Sequence, residues 1–214
     1  MPRVRITKTL FIVVIVGFLS VRSYAAPILP GQTISPVPGE PDPTGGVVQA
    51  GTGVAVPFAS PSGPGAFSGT LTTTVIAGDP SNALGGLTFT YRLTNSAGSL
   101  AALERMTNLD FTGVLTDVSF QTPASGVVPT SVDRDASASS VGWSFNPLGA
   151  GAINPGTASA LLVIQTNAPA FAPRNANILD GSIAVAASFG PVIPEPTTLA
   201  LAGLGCLVLR RRPH

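Results

Sequence analysis

Apolar and polar residues alternate with period two through much of the chain, the mark of strands buried on one face. In LTFTYRLTN, Leu87, Phe89, Tyr91 and Leu93 fall on one face, and Thr88, Thr90, Arg92 and Thr94 on the other. In SVGWSFN, Val141, Trp143 and Phe145 share a face, as do Ile183, Val185, Ala187 and Phe189 in SIAVAASF. TLTTTVIA (70–77) is rich in β-branched residues, which favour strands. LDFTGVLTDVSFQ (109–121) reads as one or two strands, and ALLVIQT (160–166) is apolar on both faces, as a central strand should be. Turn clusters GDPSN, NPLGAG, NPG and APRNAN separate these runs. One segment, SLAALERM (99–106), reads as a turn or two of helix. About seven to nine short strands with frequent breaks predict an all-β body, an antiparallel β-sandwich of Ig-like or jelly-roll-like type.

Prolines set the limits of that body. Residues 26–65 carry Pro27, Pro30, Pro36, Pro38, Pro41, Pro43, Pro57, Pro61 and Pro64. Proline has no N–H to donate, so the stretch cannot sustain a helix or a central strand and reads as a semi-extended leader. VVQAGTGVAVPF within it holds a first short strand. The sandwich is expected over 66–191.

Both ends of the chain differ from the middle. At the N-terminus, Arg3, Arg5 and Lys8 precede an apolar run from Leu10 to Leu19, and SYAA follows. A basic region, a short apolar region and a small-residue site make a secretory signal peptide, expected as a helix over 1–25 with cleavage after Ala25 by signal peptidase. An apolar run of this length falls short of the ~20 residues that span a bilayer. At the C-terminus, residues 192–214 contain Pro194, Glu195 and Pro196, an apolar segment, then Arg210, Arg211 and Arg212. The two prolines favour an extended, readable IPEP. A helix from Thr198 to Leu209 would measure ~18 Å, short of the ~30 Å hydrocarbon core. Gly203 and Gly205 weaken it by ~1 kcal/mol each relative to Ala. Such a transmembrane helix suits a transient substrate better than a lasting anchor, and the three arginines act as a cytoplasmic stop-transfer signal.

Charge and composition narrow the chemistry. Between Ala26 and Ile193 there are four basic residues (Arg92, Arg105, Arg134, Arg174) against nine acids, a net of −5. A nucleic-acid partner is not expected, since phosphate binding needs clustered Lys and Arg. That span has no Lys, His or Cys, so neither a Ser-His-Asp nor a Ser-Lys arrangement can be built. Its only glutamates are Glu40 and Glu104, and no carboxylate pair is evident. No enzymatic activity and no cofactor are expected. Asp133 and Asp135 in VDRDAS are the one weak candidate for calcium, short of the six to eight oxygens that ion takes. Trp143 and Tyr91 sit on apolar faces and are expected in the core, which leaves no aromatic platform for a sugar.

The tail, with Pro194, Glu195 and Pro196, Leu199 to Leu209, and Arg210 to Arg212, resembles the PEP-CTERM sorting signals. The stretches GLTFTYRLTN, SVDRDASASSVGWSFNP and ASALLVIQTNAPAF are similar, more loosely, to ectodomains of such proteins. The resemblance implies a Gram-negative bacterium and export across its cytoplasmic membrane. It also implies transient anchoring by the C-terminal helix and processing by an exosortase-type membrane enzyme. The final place would be the cell surface or extracellular matrix, often linked to exopolysaccharide and biofilm. The expected function is that of an exosortase-sorted surface or matrix protein. An extracellular polysaccharide-binding module is the alternative, and a single-pass tail-anchored protein the third reading.

Overall fold

The computed structural model describes residues 26–41, 45–145 and 151–192. Among them there is no helix, and fourteen strands form two sheets. The strands are β1 (Ala26–Pro27), β2 (Thr33–Ile34), β3 (Gly39–Pro41), β4 (Val47–Val48), β5 (Ala55–Ala59), β6 (Ser68–Ala77) and β7 (Thr88–Asn95). They continue as β8 (Arg105–Leu109), β9 (Thr116–Thr122), β10 (Ser131–Arg134), β11 (Ser140–Ser144), β12 (Leu162–Thr166), β13 (Ala170–Asp180) and β14 (Ser182–Val192). The larger sheet runs β1-β9-β12-β7-β6-β4, with β3 also on β9 and β5 also on β6; the smaller runs β14-β13-β8-β11-β10-β2. All pairings between strands are antiparallel except β3 with β9.

The alternating stretches form strands where the pattern places them. Phe89, Tyr91 and Leu93 of β7 join Leu71 and Val75 of β6, Val118 of β9, and Leu162 and Ile164 of β12 on one wall of the core. Met106, Val132, Val141, Trp143, Ala176 and Ile178 form the opposite wall. β12 lies between β9 and β7 with every residue buried, as its two-sided apolar composition requires.

Two expectations are corrected. SLAALERM is not helical: Arg105–Leu109 is β8, paired with β11 on one side and β13 on the other. Its helix-forming residues yield to packing, which buries Leu103 and Met106. APRNAN is not a turn but the middle of β13. Pro173 is tolerated there because β8 pairs only from Ala176 to Leu179, so no ladder bond is lost on that side. The reversal comes later, at Gly181, whose φ of +62° turns β13 into β14.

The proline-rich stretch does not stand apart from the sheets. It supplies β1 to β5, all short, and all at sheet margins or off the main path of the larger sheet. Margins tolerate proline because the missing N–H faces no partner. The expected N- and C-terminal helices lie outside the described residues.

The apolar face of SIAVAASF exists, but it looks outward. Ile183 and Val185 are 57% and 56% exposed, while Ala184 and Ala186 are buried. Small inward residues let β14 close against the other sheet. Two hydrogen bonds cross the interior there: Thr73 with Ser188 (3.0 Å), and the Tyr91 hydroxyl donating to the Phe189 carbonyl (3.2 Å).

Candidate functional site

Three features could carry chemistry: the run from β14 into the tail, a buried arginine, and pairs of acids. β13 and β14 pair over eleven residues, ending at Ala170 opposite Val192. Only Ile193 separates that last pair from Pro194. The folded body is therefore tied directly to the sorting segment. Pro194, Glu195, Pro196, Arg210, Arg211 and Arg212 lie outside the described residues, as does Ala25.

Arg134 ends β10 and is 5% exposed. Its Nη1 donates to the Ile28 carbonyl (3.2 Å) and Thr116 Oγ1 (2.8 Å). Its Nη2 donates to the carbonyls of Phe111 (3.0 Å), Val114 (2.7 Å) and Ala138 (3.4 Å). Burial lowers the guanidinium pKa and Asp135 opposes that shift. A guanidinium is basic enough to stay charged even so. One side chain thus ties the N-terminal segment to two loops. No sequence signal marks it, because its acceptors are mostly backbone carbonyls. A pocket of about 410 Å³ beside it is lined mainly by Pro27, Ile28, Leu29, Leu84, Val114 and Leu115.

The calcium candidates point to other partners. Both carboxylate oxygens of Asp133 accept from Arg105, at 2.7 and 2.9 Å. Arg105 reaches across β11 over Gly142, where a Cβ would meet its Nη2 at 2.0 Å. Asp135 accepts from the Ser140 N–H (2.7 Å) and from the hydroxyls of Ser137 and Ser139. Desolvation works to raise the Asp135 pKa, but these hydrogen bonds outweigh it and hold the carboxyl at about 2. Among the described residues no group of three or more His, Cys, Asp or Glu could hold a metal. Arg105 and Asp133 are about one-third exposed (33% and 31%), so their pair contributes little, ~0.5 kcal/mol. Asp133→Asn and Gly142→Ala, which displaces the guanidinium, are each expected to lower the melting temperature by only ~1–3 °C in thermal denaturation. Added salt should shrink the gap from the parent.

The structure brings together acids that sequence spacing does not connect. Glu40 on β3 and Asp117 on β9 are both buried at one edge of the larger sheet. Burial first, and the Glu40 charge second, push the Asp117 carboxyl up to about 7, against a hydrogen bond from the Val118 N–H. Asp117 Oδ1 has no hydrogen-bond partner among the described residues. In the same way burial, then Glu104, raises the Asp180 pKa. Each glutamate of the described body thus lies near an aspartate. The lining of the pocket beside Arg134 includes none of these four acids. Tyr91 and Trp143 are buried in the core. Burial raises the Tyr91 pKa, so its hydroxyl stays a neutral donor.

Residues 192–212 match the family model described as the PEP-CTERM protein-sorting motif. Neither a curated protein nor a solved structure matches the chain. The motif implies an exported protein, processed by exosortase and sorted to the cell envelope, and the β-rich body fits that role.

Proposed function

We propose that this chain, which carries a PEP-CTERM protein-sorting motif over residues 192–212, ends as a cell-surface or extracellular-matrix protein with a non-catalytic body. The observation that carries the reading is the order of the tail: Pro194-Glu195-Pro196, a short apolar segment, then Arg210 to Arg212, directly after β14. Signal peptidase cuts after Ala25, and the apolar segment then lodges in the membrane. The arginines stay on the cytoplasmic side, because a cluster of positive charge resists translocation. Glu195 stays in water, because a carboxylate in hydrocarbon is costly. That holds the extended tripeptide at the membrane surface, within reach of the embedded enzyme. With Ile193 alone between β14 and Pro194, the folded body sits close to the same surface.

A non-catalytic body accords with a span that has no His or Lys to serve as base, and with a described pocket whose lining is mostly apolar. Polysaccharide binding is the second reading. It would use the threonine-rich outer face of β6 and β7 (Thr70, Thr72, Thr74, Thr94, with Arg92), and glycan-array binding lost on Arg92→Ala would favour it.

Glu195→Ala and deletion of Arg210–Arg212 test the sorting step. Each variant is expected to stay in the membrane fraction at its unprocessed mass, read by mass spectrometry and fractionation. An unchanged mature mass and destination in both would overturn the proposal.

A further inference from the structure

β14 is the longest edge strand among the described residues. The other margins, β1 to β5, run two to five residues, and β1, β3 and β5 carry proline; short strands and proline protect a sheet edge. β14 covers eleven residues and, among the described residues, pairs only with β13. Which of its backbone groups face outward follows from β13. The Leu179 carbonyl accepts from the Glu104 N–H, so Leu179 turns its peptide groups toward the β8 side. Leu179 stands opposite Ile183. In an antiparallel ladder, opposed residues either exchange both bonds or both turn away. Ile183 therefore turns its N–H and C=O to the open edge, and by alternation so do Val185, Ala187 and Phe189. The Phe189 carbonyl already accepts from the Tyr91 hydroxyl (3.2 Å), and Pro191 has no N–H. The open stretch is thus centred on Val185, with Ile183 and Ala187 on either side. All three are exposed, and SIAVAASFGPV (182–192) carries no charge. A long, uncharged edge with apolar side chains is one that another strand can extend.

We propose that this edge joins a second copy of the chain, β14 against β14, antiparallel about a two-fold axis at Val185. The strand is its own complement. Val185 lies opposite the partner's Val185, Ile183 opposite the partner's Ala187, and Ala187 opposite the partner's Ile183. Each of these three pairs joins residues whose N–H and C=O both face the open edge, so each exchanges both bonds. On the outer face a large side chain meets a small one at either end, with the two valines between them. Like charges set opposite each other across such an axis would oppose pairing, and this strand has none to set. Because the axis makes one patch meet itself, association closes at the dimer. Ala184, Ala186 and Ser188 go on facing the other sheet, so the fold of each copy is unchanged. The contact is one strand wide, which places it among weak, reversible interfaces.

Sedimentation of the purified exported protein tests the pairing. A monomer–dimer equilibrium is expected, with a Kd of ~10–100 µM. Val185→Lys sets two ammonium groups face to face across the axis and is expected to weaken dimerisation at least tenfold. Val185 is 56% exposed, so the variant should melt with the parent at concentrations where both are monomers. Cross-linking locates the contact. Cys206 is the only cysteine, so Val185→Cys is made together with Cys206→Ser and oxidised gently. Opposed residues of a bonded pair have Cα atoms ~5.5 Å apart, a separation a disulfide spans. A covalent dimer is expected to form at least tenfold faster than with Leu100→Cys, at a site 73% exposed and away from β14 in the chain. A chain that stays monomeric at ~1 mM, far above that Kd, overturns the pairing, whether or not the variants fold. A dimer that Val185→Lys leaves unchanged, or equal cross-linking at the two cysteines, overturns the edge as its site. Species that grow past the dimer overturn the two-fold geometry.

Discussion

Replacing Arg134 by methionine is expected to destabilise the protein by about 3–5 kcal/mol, a fall in melting temperature on the order of 10 °C. Methionine fills much of the volume but donates nothing. The carbonyls of Ile28, Phe111, Val114 and Ala138 and the hydroxyl of Thr116 lose a shared donor. A buried acceptor left unpaired costs ~1–3 kcal/mol. The Phe111 carbonyl keeps the Val114 N–H and the Ile28 carbonyl keeps the Thr116 hydroxyl, which holds the total below five full penalties. Arg134→Lys is expected to recover only a small part. An ammonium is a point charge with three donors, and it cannot span acceptors on three separate segments as a planar guanidinium does. The released segment should also show itself locally, as faster proteolysis near residues 26–32. A methionine variant melting within 2 °C of the parent would refute the assigned role.

Trp143→Ala is the second large effect, expected at about 3–5 kcal/mol in urea denaturation. Trp143 is fully buried on β11, between Met106 on β8 and Val132 on β10. Truncation removes apolar contact and leaves a cavity that two paired neighbouring strands cannot close. Trp143→Phe separates the two contributions. The indole Nε1 has no hydrogen-bond partner among the described residues, so phenylalanine loses volume but also removes an unmet donor, itself worth ~1–3 kcal/mol. The net cost should be small, ~1 kcal/mol or less. A phenylalanine variant as unstable as the alanine one would show that the indole N–H finds a partner, and would refute the unmet-donor reading.

The two carboxylate pairs bear on what a sequence can disclose. Glu40 and Asp117 meet because β3 and β1 divide one edge of β9, a placement set by topology. The same holds for the Arg134 acceptors, which come from residues 28, 111, 114, 116 and 138. Backbone carbonyls have no residue identity, so no motif could mark them.

Strand character in 87–94 and 140–145 was readable from residue order alone, because alternation with period two is a local property of the extended chain, and in 160–166 from a short run apolar on both faces. So was the sorting motif, whose residues follow one another in the chain over 192–212. Which face of a strand turns inward was not readable in the same way. Ile183 and Val185 share a face as their spacing requires, yet they look out. β14 has to approach the opposite sheet, and only Ala184, Ala186 and Ser188 are small enough to let it. Residues 105–109 became a strand against their helical composition because β11 and β13 were there to pair with them. Local chemistry limits the conformations a segment can take. The choice among them, and the grouping of charges distant in the chain, belongs to packing, where burial and hydrogen bonding outweigh local preference.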